Sequence, residues 1–310
     1  DIIKCGSYTG NGSSDSSSQD INLGFESQWV LIKNTTISAG WYMIDNMRGM
    51  SLSTSDGYLY ANSNSAEGEE LNNLGVESHS ATSTGFRVGG AGSQNNQSGH
   101  TYIYMAIRRG PLAAPDDATK VFAISTGAGT DAPMWTSNFP IDMAMNRDVS
   151  GAVDTSILSR LTGTNRLETN TNDAEVSSNS SKMDYMDGYH EGTSNLPTYY
   201  SWMWKRAPSY FDVCCYTGNQ TSGLTVSHNL GAVPEMMWVK NRSAGTPWMV
   251  YHSALGNQAY LQLSVNNAEV TGNTSRWNAT TPTASVFSLG DSGSVNALGS
   301  NLIAYLFATV

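Results

Sequence analysis

Two acidic clusters hold the residues of this 310-residue chain best suited by type to do chemistry: Glu67-Gly-Glu-Glu70 and Asp184-Tyr-Met-Asp187-Gly-Tyr-His-Glu191. Paired carboxylates cleave glycosidic bonds when one protonates the leaving oxygen and the other attacks or activates water. Glycanases often set them out along one strand as Glu-x-Asp-x-x-Glu, and this chain has no such pattern. Asp184, Asp187 and His190 recur every third residue, which on a strand splits them between faces. Glu69-Glu70 stands in polar surroundings and is read as solvated. Ser and His are both present, but no Gly-x-Ser-x-Gly elbow frames a nucleophile. No catalytic residue is assigned, and the chain is expected not to be an enzyme.

Histidines and cysteines supply no metal set. His79 and His100 read as polar-loop residues, and His228 and His252 flank strands. Cys5, Cys214 and Cys215 have neither zinc spacing nor a disulfide framework, and are expected to be small buried apolar groups. Free thiols suit a protein assembled inside a reducing cell. Calcium takes Asp, Asn and carbonyl ligands from loops, but no loop reads Asp-x-Asp-x-Asp-Gly. No metal and no cofactor is assigned.

Eight Trp and fifteen Tyr offer flat apolar faces with polar edges, the surfaces that sugar-binding proteins use. Trp29, Trp202, Trp204 and Trp238 lie in apolar strand runs, where core packing is expected. Trp41 and Trp248 stand at matching positions and are given a shared structural role. Trp135, Tyr185, Tyr189 and Trp277 have no counterparts elsewhere in the chain, and they are the candidates for glycan contact.

The elements that position these residues are strands. Charged residues are only 14% of the chain and the net charge is −10, a profile that suits a β-rich extracellular or virion protein. Basic residues do not cluster, which argues against nucleic acid and against anionic membranes as partners. The longest apolar runs are strand-length, so no membrane insertion is expected. Tyr58-Leu-Tyr-Ala-Asn62 and Leu261-Gln-Leu-Ser-Val265 alternate at period two. Thr155–Leu161 is the best short helix candidate. Segments 12–18, 92–99 and 177–181 read as loops.

The strands come in three sets. Closing runs recur at Tyr102–Pro111, Tyr199–Pro208 and Leu302–Val310, and Gly turns at Cys5–Asn11, Val121–Ala128 and Val213–Asn219. Apolar runs end at Asn34, Asn146 and Asn241, with Trp41, Val153 and Trp248 seven positions on. Leu59, Leu167 and Leu261 each precede an Ala-Glu pair by the same interval. A period near 100 residues fits small domains, each with its own core, and not a solenoid. The expected fold is all-β: three tandem antiparallel β-sandwich domains at 1–110, 111–207 and 208–310, joined by short Pro-bearing connectors at 111–115 and 207–208. Asp1 is no initiator, so the chain is expected to be processed or partial, with room for further repeats ahead of it.

His228–Arg242, His100–Pro111 and Trp202–Pro208 resemble repeats in structural proteins of marine tailed phages, cyanophages especially. That family is described as concanavalin-like, a jelly roll of two antiparallel sheets. The resemblance covers essentially the whole chain and is strongest in repeat 3; repeat 2 lacks the Trp and the Tyr-Thr-Gly-Asn turn. It implies a virion component assembled in the host cytoplasm and carried on a tail fibre or other surface appendage, with possible attachment to a host-surface glycan. The alternative is a purely architectural head decoration or tail spacer; a glycan-degrading enzyme is the weaker reading. Expected partners are other virion proteins and copies of itself. Three copies are expected by analogy with phage fibres.

Overall fold

The computed structural model of the chain describes residues 1–13, 19–48, 50, 55–71, 79–90, 92, 94–127, 132–177, 181–192 and 196–310. Parts of the three expected loops, residues 14–18, 93 and 178–180, lie outside the described residues. Two compact units divide the chain, Asp1–Gly110 and Pro111–Val310. Both are built of antiparallel strands. The one α-helix among the described residues is a single turn, α1 (Gly293–Asn296).

Unit 1 contains β1 (Ile3–Thr9), β2 (Gln19–Asn22), β3 (Ser27–Asn34), β4 (Trp41–Asp45), β5 (Ser55–Tyr60), β6 (Gly68–Leu71), β7 (His79–Thr82), β8 (Gly85–Val88) and β9 (Thr101–Arg108). Its large sheet runs β1-β9-β3-β4-β5-β6, and a smaller one runs β2-β8-β7. Alternation in β3 shows how the sequence aims these strands: Val30, Ile32 and Asn34 are buried, while Trp29, Leu31 and Lys33 point the other way and are half-buried. The core joins the two sheets through aromatic rings, with Phe86 of β8 edge-on to Tyr8 and Tyr104 at 6.4 and 5.4 Å.

Unit 2 holds two successive sets of strands. The first comprises β10 (Phe122–Gly127), β11 (Trp135–Thr136), β12 (Met143–Asp148), β13 (Ser156–Ser159), β14 (Asn165–Glu168), β15 (Val176–Ser177), β16 (Ser181–Lys182), β17 (Gly188–Glu191) and β18 (Leu196–Trp204). The second comprises β19 (Phe211–Thr217), β20 (Leu224–Ser227), β21 (Met236–Asn241), β22 (Met249–His252), β23 (Leu261–Gln262), β24 (Val286–Leu289) and β25 (Asn301–Phe307). Their large sheets run β10-β18-β12-β13-β14-β15 and β19-β25-β21-β22-β23, the same order as in unit 1. Smaller sheets β11-β17-β16 and β20-β24 complete each set. Residues 1–110, 111–207 and 208–310 are called repeats 1, 2 and 3 below.

The repeated Tyr-Thr-Gly-Asn segment is a lock between the first strand of a repeat and the turn before its last. Tyr8 donates its hydroxyl to the Asn95 carbonyl at 2.6 Å, and Tyr216 does the same to Val295 at 2.7 Å. The amides of Asn11 and Asn219 donate to the side chains of Asn96 and Asn296 at 3.0 and 2.8 Å. Gly10 and Gly218 are required there, because an added Cβ would collide with the Gln97 and Ala297 carbonyls. Asn95 and Asn96, read from sequence as part of a polar loop, are therefore fully buried. His79, also read as a loop residue, starts β7 and is buried with its Nε2 at 2.8 Å from Asn95 Nδ2.

Three further expectations change. The helix candidate at 155–161 is strand β13 followed by a 3-10 turn at Arg160–Thr162, capped by Ser159. Cys5 is exposed, Cys214 buried and Cys215 half-buried, so Cys5 is not a core residue. The connector at 207–208 lies inside the second compact unit. Arg206 just before it is fully buried, bonded through Nε to Asp142 at 3.2 Å and through Nη1 to the Val213 carbonyl at 3.1 Å.

Repeats 2 and 3 meet through the sheet faces that point away from their own cores. Arg242 grips Glu175 with Nη2 at 2.8 Å. Lys240 Nζ donates to the carbonyls of Asn172, Asn241, Ala244 and Thr246 at 2.9–3.3 Å. Trp248 Nε1 donates to the Glu168 carbonyl at 2.8 Å. Burial lowers the Lys240 pKa to about 8.

Candidate functional site

A polar cleft of about 380 Å³ opens in repeat 2, between the ends of β12, β14, β17 and β18. Asn146, Asp154, Arg166, Glu168, Glu191 and Tyr199 line it. Strand alternation positions the key carboxylate: Tyr189 and Glu191 are two apart on β17 and both reach Asn146. Asn146 Nδ2 donates to Tyr189 Oη at 3.1 Å and to Glu191 Oε2 at 2.7 Å, and Tyr189 Oη donates to Ser201 Oγ at 2.8 Å. A buried amide with two acceptors and a buried phenol thus fix the Glu191 side chain from below.

Electrostatics separate the carboxylates. Burial raises the Glu191 pKa above the usual carboxylate range, against the pull of Asn146, Arg166 and Ser181. Glu168 lies 3.6 Å from Arg166 Nε as an ion pair. Asp154 accepts from Asn170 Nδ2 at 2.7 Å. Burial, then Asp148 and Glu191, raise the Tyr199 pKa. One cation, several acceptors and a phenol ring make a surface matched to sugar hydroxyls, which both donate and accept.

The structure scatters the residues singled out from sequence. Trp135 and Tyr189 are fully buried and stacked on each other, centroids 4.7 Å apart and planes 12° from parallel, in the core of repeat 2. Trp277 is buried in the core of repeat 3, edge-on to Tyr251, with Nε1 donating to the Ala259 carbonyl at 2.9 Å. These three have no face open to a sugar and are withdrawn as glycan contacts. Tyr185 is half-buried, 6.5 Å from the His190 ring. Conversely, Trp29, Trp202, Trp204 and Trp238, expected in cores, are half-buried on the opposite faces of their strands from the core residues.

The Asp184–Glu191 cluster does not assemble. Asp184 and Asp187 are exposed ahead of β17, and Glu191 alone enters the cleft. Among the described residues, no group of three or more His, Cys, Asp or Glu side chains is arranged to hold a metal ion. No described helix is long and apolar enough to cross a membrane. The sequence pattern assigns no role to Asn146 or Tyr199. The signal that could have found Asn146 is its place at the end of the repeated apolar run, where Asn34 and Asn241 also turn inward and are buried.

Residues 3–111 and 117–310 match the family model described as Domain of unknown function (DUF7483). The chain belongs to that family, and the two matched segments follow the two compact units. No curated protein and no solved structure matches the chain.

Proposed function

We propose that this member of the DUF7483 family is a non-enzymatic structural protein of a tailed-phage virion, carried on a tail fibre or another surface appendage. In this reading residues 1–110, 111–207 and 208–310 are three tandem jelly-roll domains of concanavalin-like type. The observation that carries it is the junction between repeats 2 and 3, where Trp248, Lys240 and the Arg242–Glu175 pair are sunk between the two sheets. Such a junction suppresses hinge motion, which is what a stiff appendage needs and what independent domains on linkers lack. The chain is assembled in the host cytoplasm with other virion proteins and copies of itself, without cofactor, nucleic acid or membrane.

Within that reading the repeat 2 cleft is where a host-surface glycan would be held, with Glu191, Asp154 and Arg166 bonding hydroxyls and Tyr199 packing on the ring. The burial of Trp135, Tyr189 and Trp277 favours a second reading, a head decoration or tail spacer with no ligand. Titrating the intact protein with oligosaccharides from the host surface separates them. Saturable binding weakened at least tenfold by Glu191→Gln or Tyr199→Ala supports glycan attachment. Binding that neither substitution changes moves the glycan site out of this cleft, and no binding at millimolar sugar leaves the spacer.

A further inference from the structure

The three large sheets carry a bulky apolar residue at one matching outward position. Register places it opposite the residue just before the repeated Asn: Trp41 faces Lys33, Ile157 faces Met145, and Trp248 occupies the place opposite Lys240, since Val239 pairs with Met249. Val153, suggested by simple spacing, is not the counterpart; the loop before β13 is longer and moves the position to Ile157. Inside unit 2 two of these positions are closed, with Ile157 1% and Trp248 0% exposed. Trp41 is 38% exposed.

The rest of that face in repeat 1 follows the same pattern. Ile3, Cys5, Ile103 and Trp41 share it by register, and all four are exposed, Ile3 to 54% and Ile103 to 41%. The matching positions in repeat 3, Val213 and Ile303, are 1% and 0% exposed. Lys33 also holds the local geometry seen in repeat 3: its Nζ donates to the Ala39 carbonyl as Lys240 donates to Thr246.

We propose that the outward face of the β1-β9-β3-β4 sheet is a self-association surface, on which repeat 1 of a second copy sits. Unit 2 shows what covers such a face, namely the outward face of a sister repeat. In a second copy the faces at Ile157 and Trp248 are already taken, so the matching open position is its own Trp41. Pairing one face with itself is two-fold and self-complementary. Four strands about 4.8 Å apart and seven residues of about 3.4 Å give roughly 450 Å² in projection per copy. Twice that area is below the size of a stable interface, so the pairing is expected to be weak and transient. The inference rests on the reading that copies associate, but not on the virion setting.

Sedimentation of the full chain across 1–200 µM tests it. The expected result is a monomer–dimer equilibrium that Trp41→Asp with Ile103→Lys shifts at least tenfold towards monomer, while Ile124→Lys, on the outward face of repeat 2, leaves it unchanged. Attaching a bulky maleimide to Cys5 of the unsubstituted protein is expected to block pairing as well, which guards against a folding effect of the substitutions. A monomer throughout overturns both this face and self-association. A trimer, or a dimer indifferent to all three changes at this face, overturns the face and leaves self-association standing.

Discussion

Arg242 Nε reaches both oxygens of Glu175, at 3.0 and 3.1 Å, and Nη2 adds a third bond at 2.8 Å. The two residues are 67 positions apart and belong to different repeats, and Glu175 is one of the three recurring Ala-Glu glutamates. Burial alone would lower the Arg242 pKa; the adjacent Glu175 and Cys215 outweigh it and keep the guanidinium charged. Glu67 and Glu269 stand at matching points, just before β6 and the Val270 bridge, and are exposed. The same residue therefore serves as a surface group in two repeats and as a clamp in the third.

Removing one partner of that pair strands a buried charge. Glu175→Ala is expected to cost about 3–5 kcal/mol. Hydrogen exchange localises the loss: protection should fall along β21 and stay unchanged along β3. A change below about 1 kcal/mol, or an equal loss in both units, contradicts the clamp.

Acid should weaken unit 1 through His79. Burial lowers its folded pKa to about 3, against 6.5 when unfolded, so the unfolded chain binds more protons between those values. The contribution is complete above about pH 6.5 and is lost as pH falls towards 3, on the order of 4 kcal/mol at the lower limit. His228, lowered to about 4 chiefly by burial, acts in the same direction in unit 2. Urea midpoints measured from pH 7 to 3 should fall less for His79→Gln than for the unsubstituted chain; parallel curves would refute the assignment.

Core and surface aromatics in repeat 2 should respond differently. Trp135→Ala removes half of a stacked pair and is expected to cost about 3–5 kcal/mol. Tyr185→Ala, at a half-buried ring, should stay within about 1 kcal/mol. Equal costs in denaturant unfolding would put Trp135 outside the core.

Strands, turns and the threefold recurrence were legible in the sequence because period-two alternation and Gly turns are local properties. Burial of the aromatics was not. A Trp inside an apolar run reads as core, yet alternation fixes its side: with Val30, Ile32 and Asn34 turned inward, Trp29 must face out. Trp135 and Trp277 lie in short or irregular segments with no readable period, and only tertiary packing buries them. Spacing failed at Val153 because one longer loop moves the cross-strand partner without altering the strand. The cleft was hidden for a related reason. Asn146, Glu168 and Glu191 come from three strands, and of these only Glu191 belongs to the acidic cluster that sequence reading singled out.

No hydrolysis of host polysaccharide is expected, since the cleft is read as a holding site. The measurement is the count of new reducing ends after incubation with the purified protein. Release that Glu191→Gln or Glu168→Gln abolishes would turn the cleft into an active site.

The central claim is tested most directly by locating the chain on an intact particle. Antibodies raised against the purified protein, carried on gold and applied to phage purified from the lysate in which the chain is made, should label a tail fibre or surface appendage at fixed positions. Particles that bear no label, with the protein recovered free in the lysate, would contradict the account.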